Sequence, residues 1–581
     1  MVILKKNDII TTDIISVSSD GMGVGKIDGF TVFIPFCDEG ENVQALIIKV
    51  AKTYAVGKLL KVNTPSKNRI DSECAIFEKC GGCCFCHVDY NRELQIKENF
   101  VSENVKRIGK VDLPVCEIIS SVENREYRNK SQYPVRRDKN GNIQIGFFAS
   151  HSHRVVDCSS CAIQPLVFSE IIAVLKNFLI EKNYSIYNEE DSSGVLRHIF
   201  LRIAEKTGEV MVCFVINAEK LPMQKDLISL LCGKFECIKT ICVNINRRND
   251  NVIMGEKTYT IFGDGFITDI LCDTKFRISP NSFYQVNRAT AEVLYNKAFE
   301  LANFSENDVL LDLYCGIGTI GLSAAKRVKK LIGVEIVPEA IEDAKINAEL
   351  NGITNAEFFC ADAKKAAKEF SKNGLSPTVI IVDPPRKGCD REVIEAINEM
   401  APSRVVMISC DSATMSRDLG VFKEYGYTAV SITPVDMFPR TKHCETVALL
   451  SRQINVHKMK LNSAPFEMIK NGEKTIELRL FDEKRQKIKV GDKIVFTENT
   501  TGETLNTTVV KLYRFDSFKE LYKSLPLLKC GYTTENVDNA TPSDMEQYYS
   551  VEEQRKYGVV GIELCRPEQI TDECVCLLCK E

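Results

Sequence analysis

Between residues 275 and 450, short continuous apolar runs alternate with longer stretches whose apolar positions recur at helical spacing. The runs opening VLLDLYCGIG (309–318), VIIVDPPRKG (379–388) and VVMISC (405–410) predict buried parallel strands in a doubly wound sheet. Residues 1–62 read differently. Strands such as FTVFIPF (30–36) and VQALIIKV (43–50), punctuated by Gly21, Gly23, Gly25 and Gly29, predict a small β-barrel. Residues 91–110 predict a helix, and 115–270 mix strands and helices without a parallel-sheet rhythm, an α+β pattern. After Arg452, VHKMKLNS reads as a linker into a last domain that opens with a helix and continues in strands. The expected multidomain α/β organisation is 1–62, 63–270 (with about 91–115 packed on the following domain), 271–453, 456–566 and a cysteine-containing tail, 567–581.

A chain of 581 residues is too long for one core. No window approaches the ~20 apolar residues of a membrane helix, and the start lacks a cleavable leader pattern, so a cytoplasmic monomer is expected. In that compartment 24 cysteines point to metal or catalysis rather than disulfides. The formal net charge of −4 confines any nucleic-acid surface to local basic patches.

The chemistry-bearing residues gather at predicted strand ends, where open α/β sheets bind ligands. Gly316 and Gly318 form a short loop between a strand and a helix; Glu335 ends the next strand, where a carboxylate suits ribose hydroxyls, and Asp362 lies at a third strand end. Asp383 sits in DPPRKG, its backbone stiffened by two prolines. Arg386, where amino-group methyltransferases usually carry an aromatic residue, disfavours that class. Cys410 emerges after a strand, and Glu445 precedes another; on their own an inert buried thiol and an ordinary surface glutamate are the favoured readings.

DLYCGIG, DPPRKG, ISCDSATMSRDL and HCETV, in that order, closely resemble the RNA uracil-5-methyltransferase family, and the resemblance extends over residues 5–453 through ISPNSFYQVN, YRNKSQYPV and GVLRHIFLR. It implies a Rossmann-like methyltransferase domain in which Gln285, Tyr314, Gly316, Gly318, Glu335, Asp362 and Asp383 serve S-adenosylmethionine or the substrate pocket. Cys410 would be the nucleophile that adds to uracil carbon 6, and Glu445 the base that removes the carbon 5 proton. A free thiol is only a few per cent ionised at neutrality, so the site is expected to depress the Cys410 pKa. Cys444, beside Glu445, is a rival thiol, and Ser412 replaces an expected proline. A cytosine-5 enzyme is disfavoured because Pro385, not cysteine, follows Pro384.

Cys74, Cys80, Cys83 and Cys161 suit zinc or a four-iron, four-sulfur cluster by ligand type; the resemblance favours the cluster. It also likens residues 1–62 to the TRAM domain through GMGVGK, FIPF and EGENV, and 456–566 to the ASCH domain, related to the PUA barrel, through NGEKTIELRL. Arg125, Tyr127, Arg128 and Lys130, with Tyr133, Arg136 and Arg137, read either as an RNA surface or as a solvated strand. Lys474 and Arg479 around Glu477 read as an RNA pocket or a salt-bridged strand, and Cys574, Cys576 and Cys579 with Cys565 as a metal set or a plain tail. The expected partner is 23S ribosomal RNA, with transfer RNA second; the non-enzymatic alternative is an RNA-binding protein with a decayed core.

Overall fold

Five strands, Ile9–Val17, Met22–Ile27, Phe30–Pro35, Asn42–Val50 and Tyr54–Thr64, close into a barrel in the computed structural model, which describes residues 4–150 and 152–565. Alternation turns Val32, Ile34, Val43, Ala45 and Ile47 inward, and closure removes the strand edges. The tail cysteines expected as a metal set lie outside the described residues; Cys565 is buried at the end of the strand Val559–Cys565.

The helix Tyr90–Arg107 links the domains. Asp89 caps it by accepting from the Arg92 N–H. Arg92 Nε donates to Asp38 of the barrel at 2.9 Å. Val101 and Val105 enter a core of the domain spanning 271–453, and Asn104 Nδ2 donates to Ser412 Oγ at 2.8 Å, so the helix packs on that domain.

The central domain holds a seven-stranded mixed sheet. One face covers the helix Leu166–Glu181. From the other, Phe200, Met211 and Cys242 join a core shared with the hairpin Ile267–Leu271/Thr274–Ile278 and with Leu310 and Leu331 beyond it. That hairpin straddles the 270/271 boundary read from the sequence and packs as one unit with the next domain.

In the catalytic domain we number the strands β1 (Val309–Leu313), β2 (Lys330–Glu335), β3 (Ala356–Cys360), β4 (Val379–Val382), β5 (Arg404–Ser409), β6 (Tyr427–Val435) and β7 (Glu445–Arg452). Their spatial order is 3-2-1-4-5-7-6; β1 to β5 are parallel and β7 runs antiparallel to both neighbours. The order reverses between β1 and β4, which opens the crevice used by ligands in such sheets.

The last domain is a five-stranded sheet ordered Val456–Leu461, Lys493–Glu498, Thr504–Phe515, Val559–Cys565, Ile476–Leu480. Its outer strands do not pair with each other among the described residues, so the PUA-like barrel is a half-barrel. No helix among the described residues is long and apolar enough to cross a membrane. Asp492, fully buried, accepts from Arg452 Nη2 at 2.7 Å and lies 2.8 Å from His457 Nε2, fixing the domain to the end of β7. Removing one partner of a buried pair leaves the other charge stranded. Asp492→Ala should therefore destabilise the chain by about 3–5 kcal/mol, read from urea unfolding by circular dichroism; a loss below about 1 kcal/mol, the value of a surface pair, would contradict the burial argument.

Candidate active site

Register aligns the strand ends. Leu313 pairs with Val382 and Val382 with Met407, which brings Tyr314, Asp383 and the residues after β5 to one edge. Ser409 pairs with Thr446, so Cys410 and Glu445 are neighbours across the β5–β7 ladder. Because β7 is antiparallel, its first residue reaches the edge where the parallel strands finish.

The glycine loop begins with Tyr314 at φ 67°, Gly316 at 56° and Gly318 at 84°, left-handed values that glycine tolerates best. Glu335 accepts from Gly316 N at 3.2 Å and from Ile336 N and Val337 N at 2.7 and 3.0 Å, locking the ends of β1 and β2 together. Ile336 and Phe359, at adjacent strand ends, are 61% and 40% exposed, an apolar surface of the kind that covers a base. Asp362 caps the following helix through Lys365 N at 3.2 Å. Gln285 is buried, its carbonyl accepting from Asn129 Nδ2.

The acid loop is tied to the helix after Cys410. Asp418 on that helix accepts from Cys389 N at 2.8 Å, and Arg417 donates to Lys387 O at 2.8 Å. Gly388, at φ 78°, lies so close to both side chains that a Cβ would strike them. The helix Ser412–Glu424 is capped by Asp411, which accepts from Ala413 N and Thr414 N at 3.0 and 2.9 Å. Asn104 takes the Ser412 hydroxyl, so the missing proline is replaced by an interdomain bond.

Burial, then the charges of Glu445 and Asp383, push the Cys410 thiol up to about 11, with Arg386 opposing. The expectation of a depressed pKa is thus reversed, because a dry pocket holding two carboxylates disfavours a third anion. Burial also holds Asp383 above the ordinary carboxylate range, and burial with the Asp383 charge does the same to Glu445. Arg386 opposes the shift of Glu445 too, a role that sequence reading missed. Cys444 hydrogen-bonds to Val435 O and Glu445 O, and burial pushes its thiol up; it packs against the apolar core, which leaves Cys410 as the accessible thiol.

Several expected RNA contacts change. Tyr127 is buried and its hydroxyl donates to Pro439 O at 2.8 Å, and Tyr133 is buried against Gln164, so neither ring can stack on a base. Arg125 is exposed and pairs with Glu73 at 2.6 Å. Lys130 is lowered to about 7 by burial, then by Arg202 and Arg128, so it is not a standing cation. It lines a cleft of about 460 Å³ with Gln132, Arg248 and Phe283; Phe283, 61% exposed, is the aromatic face that sequence reading missed. Lys474 Nζ and Arg479 Nε each lie 2.8 Å from the buried Glu477, the salt-bridged alternative.

Cys74, Cys80, Cys83 and Cys161 converge closely enough that Cys161 feels the other three, and Gly82 N–H donates to Cys80 Sγ at 3.4 Å. Cys158 is turned to Ser160 O. Among the described residues no three ligating side chains are gathered as tightly as a single metal ion requires.

Comparison with known proteins decides the class. The tRNA (uracil-5-)-methyltransferase profile matches residues 89–453. The chain belongs to that family. TRAM and ASCH profiles match residues 5–60 and 459–568. An uncharacterized RNA methyltransferase of Clostridium tetani is 42% identical over 448 residues, 77% of this chain and 97% of that protein. One from Clostridium acetobutylicum is 43% identical over 452 residues, covering 77% and 98%. The crystal structure of Pyrococcus abyssi tRNA (uracil-54, C5)-methyltransferase with S-adenosyl-L-homocysteine matches with a TM-score of 0.62 and 30% identity, over 76% of this chain and 99% of that one. Family members are S-adenosylmethionine-dependent RNA uracil-5-methyltransferases, and this chain is one of them.

Asp312, fully buried at the end of β1, has one oxygen on Gly321 N at 2.9 Å and the other without a partner. Burial pushes it from 3.8 up to about 8. Between those values the folded state keeps a proton that the unfolded chain has lost, so native stability falls as pH rises through this window. Asp312→Asn should make that fall shallower by one proton, about 1.4 kcal/mol per pH unit, in urea melts at several pH values. An unchanged slope would show that Asp312 ionises normally.

Proposed function

We propose that this chain methylates carbon 5 of a uridine in structured RNA through a transient Cys410 adduct. The observation that carries the reading is the pairing of Ser409 with Thr446, which sets a thiol and a carboxylate side by side at the ligand edge with Asp383 along the same rim.

Cys410 adds to carbon 6 of the ring, which makes carbon 5 nucleophilic. Cys410 reacts as the thiolate, its proton passing to solvent; the N-terminus of the helix Ser412–Glu424, which follows the thiol, and Arg386 favour the anion. S-adenosylmethionine supplies the electrophilic methyl group. Gly316, Gly318, Glu335 and Asp362 would hold it, Ile336 and Phe359 would offer an apolar surface to its base, and Gln285 and Tyr314 would line the pocket. Asp383 fixes the uracil edge. Glu445 then takes the proton left on carbon 5, the double bond re-forms and Cys410 leaves as thiolate.

The four cysteines, near enough that Cys161 feels the other three, suit an iron–sulfur cluster by ligand type, and the family resemblance favours it over zinc. Cys74, Cys80, Cys83 and Cys161 would hold it, and a cluster there would supply charge compensation and order to the loop. Ribosomal RNA, the substrate that the resemblance implies, is our first reading. The likeness to the Pyrococcus abyssi enzyme, which extends over nearly all of that chain, favours transfer RNA as the second.

RNA carrying tritium on uracil carbon 5 tests this. The wild type should release tritium in the presence of S-adenosylmethionine, Cys410→Ala should release none, and Glu445→Gln should be slower by about 10²–10⁴-fold. Absence of release from the wild type on both 23S and transfer RNA transcripts would overturn the reaction, and release from Cys410→Ala would overturn the nucleophile. Release from one transcript class alone assigns the substrate.

A further inference from the structure

The segment that delivers Glu445 joins β6 to β7, and its closing pair is Val435 opposite Glu445. Four consecutive carbonyls of this segment are taken by donors from four other places. Asn287 Nδ2 donates to Met437 O at 3.1 Å, Lys97 Nζ to Phe438 O at 3.2 Å and the Tyr127 hydroxyl to Pro439 O at 2.8 Å. Cys84 N and Phe85 N, in the cysteine loop, donate to Arg440 O at 2.9 and 3.1 Å.

Arg440 itself holds φ 70°, a strained value for a residue with a side chain. Its N–H donates to Glu93 Oε1 at 2.7 Å and its guanidinium to Val88 O at 3.1 Å, so the surroundings hold the strain in place. Lys97 Nζ lies 2.7 Å from both Glu93 and Asp436, and all three side chains are at most 1% exposed. Asp436 also accepts from the Tyr90 hydroxyl at 2.9 Å.

We infer that Glu93, Lys97, Asp436 and Tyr127 are positioning residues that aim the Glu445 carboxylate at the reacting ring, with the cysteine loop as one leg of the same clamp. The inference rests on the reading of Glu445 as the base. A buried ion triad seldom outperforms apolar packing in stability, so stability alone gives a weak account of it. Its bonds converge on the backbone of one segment, and that segment ends on the group that must reach the carbon 5 proton. Displacement of a reacting group by about 1 Å can lower a rate about 10²-fold.

The step affected is the last one. The carbon 5 hydrogen passes to Glu445 as a proton, its electron pair forms the carbon 5–carbon 6 double bond, and the carbon 6–sulfur bond breaks to return the pair to Cys410. A misaimed base therefore stalls the enzyme as a methylated covalent complex, while the earlier addition and methyl transfer proceed.

The test uses the full chain, uridine-containing RNA and S-adenosylmethionine with a labelled methyl group. Glu93→Gln should accumulate a labelled protein–RNA complex that survives denaturing electrophoresis, with release about 10- to 100-fold slower. Formation of the complex and affinity for S-adenosylhomocysteine should stay within about twofold, a split that general loss of structure does not produce. Glu445→Gln should accumulate the same complex, and adding Glu93→Gln to it should slow release no further. Equal losses of cofactor affinity, complex formation and release, or additive effects in the double variant, would overturn the inference. Failure of Glu445→Gln to accumulate a complex would instead overturn the base assignment on which it rests. If Glu93→Gln does not fold, Tyr127→Phe, which removes one hydroxyl from an unchanged ring, decides on the same measurements.

Discussion

An ammonium group at 1% exposure stays charged only while its counter-ions stay beside it, and Lys97 has two, Glu93 on its own helix and Asp436 on the catalytic domain. Their attraction outweighs burial and raises the Lys97 pKa. The helix Tyr90–Arg107 that carries Lys97 also reaches the barrel through Arg92 and the helix after Cys410 through Asn104. Barrel, cysteine loop, central domain and catalytic sheet thus meet on one helix and one connecting segment. Losing the triad would free three interfaces together, which is why a site distributed over several domains can hold a fixed geometry.

The charge balance of the site follows from the same dryness. Asp312, Asp383 and Glu445 are drawn toward their protonated forms by burial, and Cys410 toward its thiol. Arg386 opposes the shifts of both Cys410 and Glu445, and a ligand carrying a sulfonium would bring further positive charge to this carboxylate-lined rim.

How much of this was legible in the sequence depends on which residues carried it. Apolar runs with sharp ends located β1, β4 and β5, and the glycine loop and acid loop fell at their ends as the period rules require. Glu445 was legible only through the HCETV resemblance, because a glutamate at a strand start has no signature until the antiparallel partner is known. Nothing in the sequence singled out Glu93 or Lys97 within the predicted helix, since their burial is created by a domain distant in sequence. Tyr127 was read outward for the same reason: interleaved cations and aromatics describe a surface equally well as a strand whose aromatic side faces a neighbour. The reversed pKa of Cys410 came from neglecting two carboxylates that only register brings together.

The antiparallel strand also fixes where the last domain sits. β7 starts at the catalytic rim with Glu445 and ends at Arg452, which is clamped to Asp492. Seven steps of about 3.4 Å each from Glu445 to Arg452 put that clamp roughly 24 Å along the strand from the rim. Lys489 reaches Asn398 on the helix between β4 and β5, so the attachment has a second point and a defined orientation. The module is thus anchored where β7 ends, away from the rim that carries Cys410 and Glu445, so under the proposed function an RNA contact at this anchor would fall on a part of the substrate outside the reacting base.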